Sequence, residues 1–252
     1  MEPTAWNLSQ QPEFIELISA LQENGLIQEK QEVESIASYL ENMEMKFGEV
    51  LQELQEVRGQ LSVLQEKGVR STVKNVIFQV ETKVTETKTQ IAAAKNSFLQ
   101  SAANAVTELK EHGLSAFQKA LSAMRIPQAL SHLRNGLHNS VQVCLQGAST
   151  VSQISREIHE VREHAQQIGR IVRGKPQQDG KPYNPQKGFL GNVQKLLLNA
   201  SARFLQMEKG IDTALDKWEG KQKSSVKRRL QKLRLEHRRD KAKDKSSSEP
   251  ER

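Results

Sequence analysis

The sequence has little cysteine, few aromatic residues and no long apolar run. Its single cysteine, Cys144, excludes an intrachain disulfide and gives no support for secretion into an oxidising compartment. Aromatic residues make up 4% of the 252 residues, so the large side chains that dominate compact cores are scarce. No stretch approaches the ~18 apolar residues of a transmembrane helix, and the start of the chain lacks the features of a signal peptide. We therefore expect neither secretion nor a transmembrane segment.

Gln, Glu, Lys, Leu, Ala and Ser fill the composition instead, and hydrophobic residues reach only 36%. This mixture is typical of long exposed helices with narrow apolar stripes. The predicted fold class is all-α, with long amphipathic helices of the coiled-coil kind. The helices would form either an elongated rod or a helical hairpin bundle, followed by a disordered basic C-terminal tail.

The clearest pattern is a heptad seam, in which apolar residues follow one another in alternating steps of three and four over more than four heptads. Such a narrow stripe is not stable alone in water, so it predicts contact with another helix. We expect the chain to self-associate through this seam or to pair there with another helical protein. The ten seam residues are Val33, Ile36, Leu40, Met43, Phe47, Val50, Leu54, Val57, Leu61 and Leu64.

The chain divides into six predicted regions. The second of them is broken near residue 68, where Lys67 and Gly68 interrupt the seam. A turn there would give a hairpin and a hinge would give a rod, and the sequence leaves both open. The regions are a short N-terminal helix region (1–27), coiled-coil helices (28–112), a helical region (113–173), a Pro/Gly-rich linker (174–188), a C-terminal helix with a basic end (189–245) and a disordered tail (246–252).

The region 113–173 contains a long helix with one continuous apolar face. Cys144 lies on this face and is predicted to be a small buried hydrophobic residue. Gly136 and Gly147 weaken this helix by ~1 kcal/mol each relative to alanine, so we expect bending there. The face consists of Leu130, Leu133, Leu137, Val141, Cys144, Ala148, Val151, Ile154, Ile158, Val161, Ala165, Ile168 and Val172.

No constellation of residues predicts chemistry. Metal ligands on one helical face need a spacing of three or four, whereas His159 and His164 are five apart. One cysteine cannot form a cysteine-type zinc site, and the glycines of 174–188 lack the GxxxxGK[ST] order of a phosphate-binding loop. We therefore expect no catalytic residue, no metal and no cofactor, and hence no enzyme.

Charge is distributed unevenly along the chain. Residues 1–67 hold 13 acidic and 4 basic residues, whereas 221–245 hold 12 basic and 3 acidic ones. Such a basic segment binds polyanions by releasing their counterions. Three partners remain open: nucleic acid, an acidic membrane surface or the chain's own acidic third. The residues most suited to polyanion contact are Lys227, Arg228, Arg229, Lys232, Arg234, Arg238 and Arg239.

The composition of the basic segment weighs against two modes of binding. It has no aromatic residue, so stacking on single-stranded bases is not supported. Its thin apolar stripe of Val226, Leu230 and Leu233 lacks Trp and Phe, which makes contact with a membrane surface the less favoured option.

Two stretches resemble a known family. They are QQPEFIELISALQENGL, residues 10–26, and SIASYLENMEMKFGEVLQELQEVRGQL, residues 35–61. They resemble an uncharacterised family of helical proteins from Firmicutes, often carried on integrative and conjugative elements. The resemblance implies a bacterial, cytoplasmic protein in a mobile-element setting, and it implies no functional residue.

The leading functional hypothesis is a non-enzymatic helical scaffold or adaptor. It would self-associate by coiled coil and hold nucleic acid or a nucleoprotein complex through 221–245. The alternative is a peripheral amphipathic protein that coats a lipid or polymer surface.

Overall fold

A computed structural model describes residues 7–124, 126–176, 182–185 and 187–216. Every regular element within these ranges is helical, which confirms the predicted all-α class. The chain divides into two units, 1–211 and 212–252, and of the second only the helical residues 212–216 are described. The elements are a 3-10 turn at Leu8–Gln10, α1 (Pro12–Glu23), α2 (Ile27–Gly59), a 3-10 turn at Gln60–Val63, α3 (Lys67–His112), α4 (Leu114–Ala123), α5 (Ile126–Val172) and α6 (188–216).

Local signals in the sequence set several helix ends. Pro12 occupies the first turn of α1, where its missing N–H costs nothing. Gly113 has φ 78° and separates α3 from α4, a left-handed conformation that glycine adopts without strain. Its N–H donates to the carbonyl of Leu109 at 3.0 Å and thereby satisfies one of the last carbonyls of α3.

The break between α2 and α3 occupies residues 60–66, slightly before the position that the sequence suggested. Gly68 lies in the first turn of α3 rather than in the break. Arg70 reaches back from α3, and its Nε donates to the carbonyl of Leu64 at 2.9 Å. This contact holds the end of the connection against the start of α3. Leu61 and Leu64 therefore lie beyond the end of α2.

The connection 60–66 is the turn of a helical hairpin, so α2 and α3 do not form a continuous rod. Arg58 near the end of α2 contacts Glu81 near the start of α3, at 2.8 Å. Glu44, further back on α2, contacts Lys95 further along α3. This order of contacts makes the two helices antiparallel.

Two further helices complete a four-helix bundle. Thr87 of α3 lies 3.0 Å from Ser140 of α5, and Gly147 of α5 lies against Val76 of α3, so this pair is antiparallel as well. Gly147 also meets Leu197 of α6. The four helices of the bundle are α2, α3, α5 and residues 188–211 of α6. They alternate in direction, as in up-down-up-down bundles.

The bundle is closed by α6 packing against α2. The rings of Phe47 and Phe204 stack with centroids 4.6 Å apart. Arg203 contacts Glu53 at 2.9 Å, and the hydroxyl of Tyr39 donates to the carbonyl of Met207. Residues early on α2 therefore meet residues late on α6, and this fourth interface is also antiparallel.

The short helices α1 and α4 pack on the outside of this bundle, mainly against α3. Phe14 of α1 lies against Phe98 of α3, with ring centroids 6.1 Å apart. Phe117 and Leu121 are the buried residues of α4. No helix in the described part of the chain is long and apolar enough to cross a membrane.

Candidate interaction surfaces

The seam of α2 is occupied within a single chain. Eight of its ten residues are buried, and the other two, Val57 and Leu64, are partly exposed. Phe47 stacks on Phe204 of α6, and α2 also packs along the antiparallel helix α3. The partner helix that the heptads require is thus supplied by the chain itself. A second copy at this seam would need the bundle to open, which removes the physical reason for self-association there.

The seven predicted polyanion-contact residues, Lys227, Arg228, Arg229, Lys232, Arg234, Arg238 and Arg239, lie outside the described residues. The same holds for the whole basic segment 221–245 and for the tail 246–252. Their charge and composition are known from the sequence.

A buried ion pair links α2 and α3. The Nζ of Lys95 lies 2.6 Å from Oε2 of Glu44, and the two side chains are 1% and 8% exposed. Two charges out of water are stable only when they are paired in good geometry, so this contact specifies which turns of the two helices face each other. Sequence reasoning missed it because both residues look like charged positions flanking the seam. Only the pairing of α2 with α3 brings them together.

The interface between α3 and α5 contains a small polar cluster. The hydroxyl of Thr87 lies 3.0 Å from that of Ser140 and 3.2 Å from the carbonyl of Gly136. These groups are buried, and they satisfy one another. Further along α5, Gly147 allows close contact, because a Cβ there would lie 2.9 Å from Cγ1 of Val76. Gly136 and Gly147 permit close helix packing. Helix α5 continues through both of them without interruption.

Cys144 lies fully buried on the core face of α5. Burial raises the pKa of its thiol to about 12, because the thiolate would lose its hydration. A thiol with so high a pKa is not a nucleophile near neutral pH. The structure places Cys144 in a packing role.

The described residues offer little for binding a small molecule. They contain no group of three or more metal-ligating side chains that could hold an ion. A cavity of about 10 Å³ between α2, α3 and α5 has room for one water at most. A larger volume of about 640 Å³ between α3 and α4 is an open groove, lined in part by Ala116, Ala120 and Ala123.

The C-terminal part of α5 carries an exposed apolar surface, which we call the α5 stripe: Val161, Ala165, Ile168 and Val172. Val161, Ile168 and Val172 are 67%, 61% and 80% exposed, and Ala165 is exposed as well. The stripe continues the face that the first part of α5 buries in the bundle. The apolar residues of α5 are therefore buried in the bundle up to Val151 and exposed to solvent from Val161 to Val172.

The start of the stripe is marked by contacts from the linker. Tyr183 lies against His159, with ring centroids 5.4 Å apart, and its hydroxyl lies 3.4 Å from the carbonyl of Ser152. Ile154 and Ile158 are partly covered in this zone. Beyond it, the apolar face is open through residue 172.

A closed helical bundle, a filled core and an exposed amphipathic helix end define this chain as an all-α bundle protein. It belongs to a family of unknown function (DUF6674), whose model matches residues 10–252. Comparison with curated proteins gave no match, and comparison with solved structures gave none either.

Proposed function

We propose that this protein is a non-enzymatic helical scaffold or adaptor that self-associates and binds a polyanion through its basic segment 221–245. The observation that carries the proposal is the charge of that segment, 12 basic residues against 3 acidic ones. The bundle supports it as a stable platform, because its core is filled by its own helices.

Nucleic acid is the polyanion that we propose. Twelve cations within twenty-five residues suit a phosphate backbone, where each contact releases counterions and lowers the free energy of binding. Because the segment has no aromatic residue, contact would be to phosphates of a duplex rather than to unstacked bases. Binding would accordingly depend little on sequence and strongly on salt.

The setting that we propose follows from the resemblance of about residues 10–110 to helical proteins of Firmicutes. The protein would act in the bacterial cytoplasm on DNA or a nucleoprotein complex of a mobile element. An adaptor of this kind would need to hold DNA and to join copies of itself, which are the two properties proposed above.

The test is the salt dependence of binding to a DNA duplex by the full-length chain. In one variant Lys227, Arg228 and Arg229 are replaced by Gln. In the matched control Lys74, Lys119 and Lys195, exposed residues of α3, α4 and α6, are replaced by Gln, which removes the same charge. The slope of log Kd against log salt should fall by about 0.9 for each phosphate that the protein no longer neutralises, in the first variant only.

Equal slopes for the two variants would show that binding reflects total charge and would sink the assigned role of 221–245. A parallel measurement with anionic vesicles addresses the lipid-coating alternative. Vesicle binding without duplex binding would favour that alternative.

A further inference from the structure

We infer that the α5 stripe is the self-association surface of this protein and that its occupant is the same stripe of a second copy, running antiparallel. The inference rests on the self-association in the proposed function. It places the contact between copies on the α5 stripe, because helices of the same chain already cover the α2 seam.

The stripe has the spacing of a coiled-coil seam. From Ile158 the apolar positions follow at steps of three, four, three and four, ending at Val172. Ile171 adds a further exposed apolar side chain beside them, at 55% exposure. Four large apolar side chains thus lie in water within three turns of one helix. A face of this kind is stabilised when it meets another helix.

Charge distinguishes a second copy from the chain's own basic segment as the occupant. The flanks of the stripe carry both signs, since 154–173 contains four arginines and three glutamates. The segment 221–245 is strongly basic, so it would bring many cations against these arginines with few acids to offset them. A second copy brings three glutamates together with its four arginines, so its net charge is close to zero. The occupant that charge favours is therefore the stripe itself.

Sterics decide the direction of the second copy. On ideal helical geometry the stripe is centred about a quarter turn from the face by which α5 enters the bundle core. A parallel partner helix would run beside α5 toward the bundle and bring its own bundle against the helices that flank α5. An antiparallel partner instead places its own bundle beyond residue 172, at the far end of the pair.

One register pairs all four exposed positions. Val161 meets Val172 of the second copy, and Ala165 meets its Ile168, with the same contacts repeated by symmetry. In this register Arg162 faces Gly169 across the pair. A shift by one heptad toward the bundle would set Arg162 against Arg162 of the second copy, which like charge disfavours. The register is thus fixed by both packing and charge.

The first experiment compares the mass of full-length variants by sedimentation equilibrium at high micromolar concentration. The test variant is Val161→Glu with Ile168→Glu. The matched control is Val63→Glu with Phe78→Glu, which are 65% and 62% exposed but lie elsewhere on the unit. Wild type and control should form dimers, and the test variant should be a monomer with unchanged helical content.

The second experiment tests direction by disulfide trapping in a Cys144→Ala background. Chains carrying Val161→Cys are mixed with chains carrying Val172→Cys. Because a disulfide needs Cα atoms about 4.4–6.8 Å apart, the antiparallel register cross-links the mixture and neither chain alone. Cross-linking of each chain with itself would indicate a parallel pair and overturn the arrangement.

The outcomes separate the two proposals. A dimer that persists in Val161→Glu with Ile168→Glu overturns the surface assignment and leaves self-association standing. If wild type, control and test variant are all monomers, self-association itself is overturned. Duplex binding by 221–245 is measured independently. If the Ile168→Cys variant is a monomer and its new thiol resists labelling, the chain covers its own stripe, which also overturns the inference.

Discussion

Lys95 and Glu44 form an ion pair of 2.6 Å that is buried between α2 and α3. Lys110 and Glu16 form another between α3 and α1, but there the side chains are 65% and 51% exposed. One Lys–Glu pair is thus buried and the other is exposed. Comparing them tests how burial changes the contribution of an ion pair to stability.

Lys95→Met should destabilise the protein far more than Lys110→Met. The first leaves the carboxylate of Glu44 buried without its partner, at a cost of about 3–5 kcal/mol. The second breaks an exposed pair, which is worth at most about 1 kcal/mol. Urea unfolding of both variants measures the difference. Adding Glu44→Leu to Lys95→Met should recover most of the stability, and equal effects of the two lysine variants would contradict the buried pair.

Alanine at two helical glycines should change stability in opposite directions. At Gly147 a Cβ would lie 2.9 Å from Cγ1 of Val76 and 3.2 Å from Cδ1 of Leu197, so overpacking should cost about 1–3 kcal/mol. At Gly48 no atom lies within 4 Å, so alanine should stabilise α2 by about 0.5–1 kcal/mol. Thermal unfolding of both variants checks the signs. A stabilising Gly147→Ala would mean that α3, α5 and α6 are further apart than described.

Cys144 should resist thiol reagents at neutral pH until the protein unfolds. Its pKa rises from 9.0 to about 12 on burial, and the residue is 0% exposed. Labelling kinetics at increasing urea should follow the unfolding transition. Rapid labelling of the folded chain would place the thiol on the surface and contradict its position in the core.

The same thiol makes stability depend on pH in the alkaline range. Because its folded pKa is the higher one, its contribution is complete below pH 9 and is lost as the pH rises toward about 12. Within this window the unfolding free energy of wild type should fall more steeply with pH than that of Cys144→Ala. Unfolding free energies of the two proteins across the window give the comparison, and parallel curves would refute the shift.

Closure of the bundle by α6 should depend on one aromatic residue. Phe204 is fully buried against Phe47, so Phe204→Ala should cost about 3–5 kcal/mol. The neighbouring Leu205 is 43% exposed, and Leu205→Ala should cost much less. Hydrogen exchange should show reduced protection in α2 and α6 for the first variant. Similar effects of the two substitutions would mean that α6 does not dock by this face.

The all-α class could be predicted because each long helix shows its own apolar periodicity. The α2 seam is one example, with Val33 through Leu54 buried as its steps of three and four require. What the periodicity could not supply was the identity of the partner helix. A seam demands a helix against it, and nothing in the pattern distinguishes a second copy from α3 or α6.

The missed features depend on contacts between residues distant in sequence. Glu44 and Lys95 look like flanking charges until α2 and α3 are paired. Gly147 looks like a weak point of α5 until Val76 and Leu197 are placed against it. The α5 stripe was visible as a pattern, but its exposure follows from where the other helices end. The basic segment 221–245 remains known by its charge alone.

The contact between Tyr39 and Met207 has a consequence for synthesis on the ribosome. The two residues are 168 positions apart in the chain. At about 5–20 residues per second, the partner of Tyr39 emerges on the order of ten to thirty seconds later. During that delay Phe47 lacks the ring of Phe204 that stacks on it in the complete fold. Until α6 is made, the nascent chain therefore exposes the apolar side chains of α2 that α6 later covers.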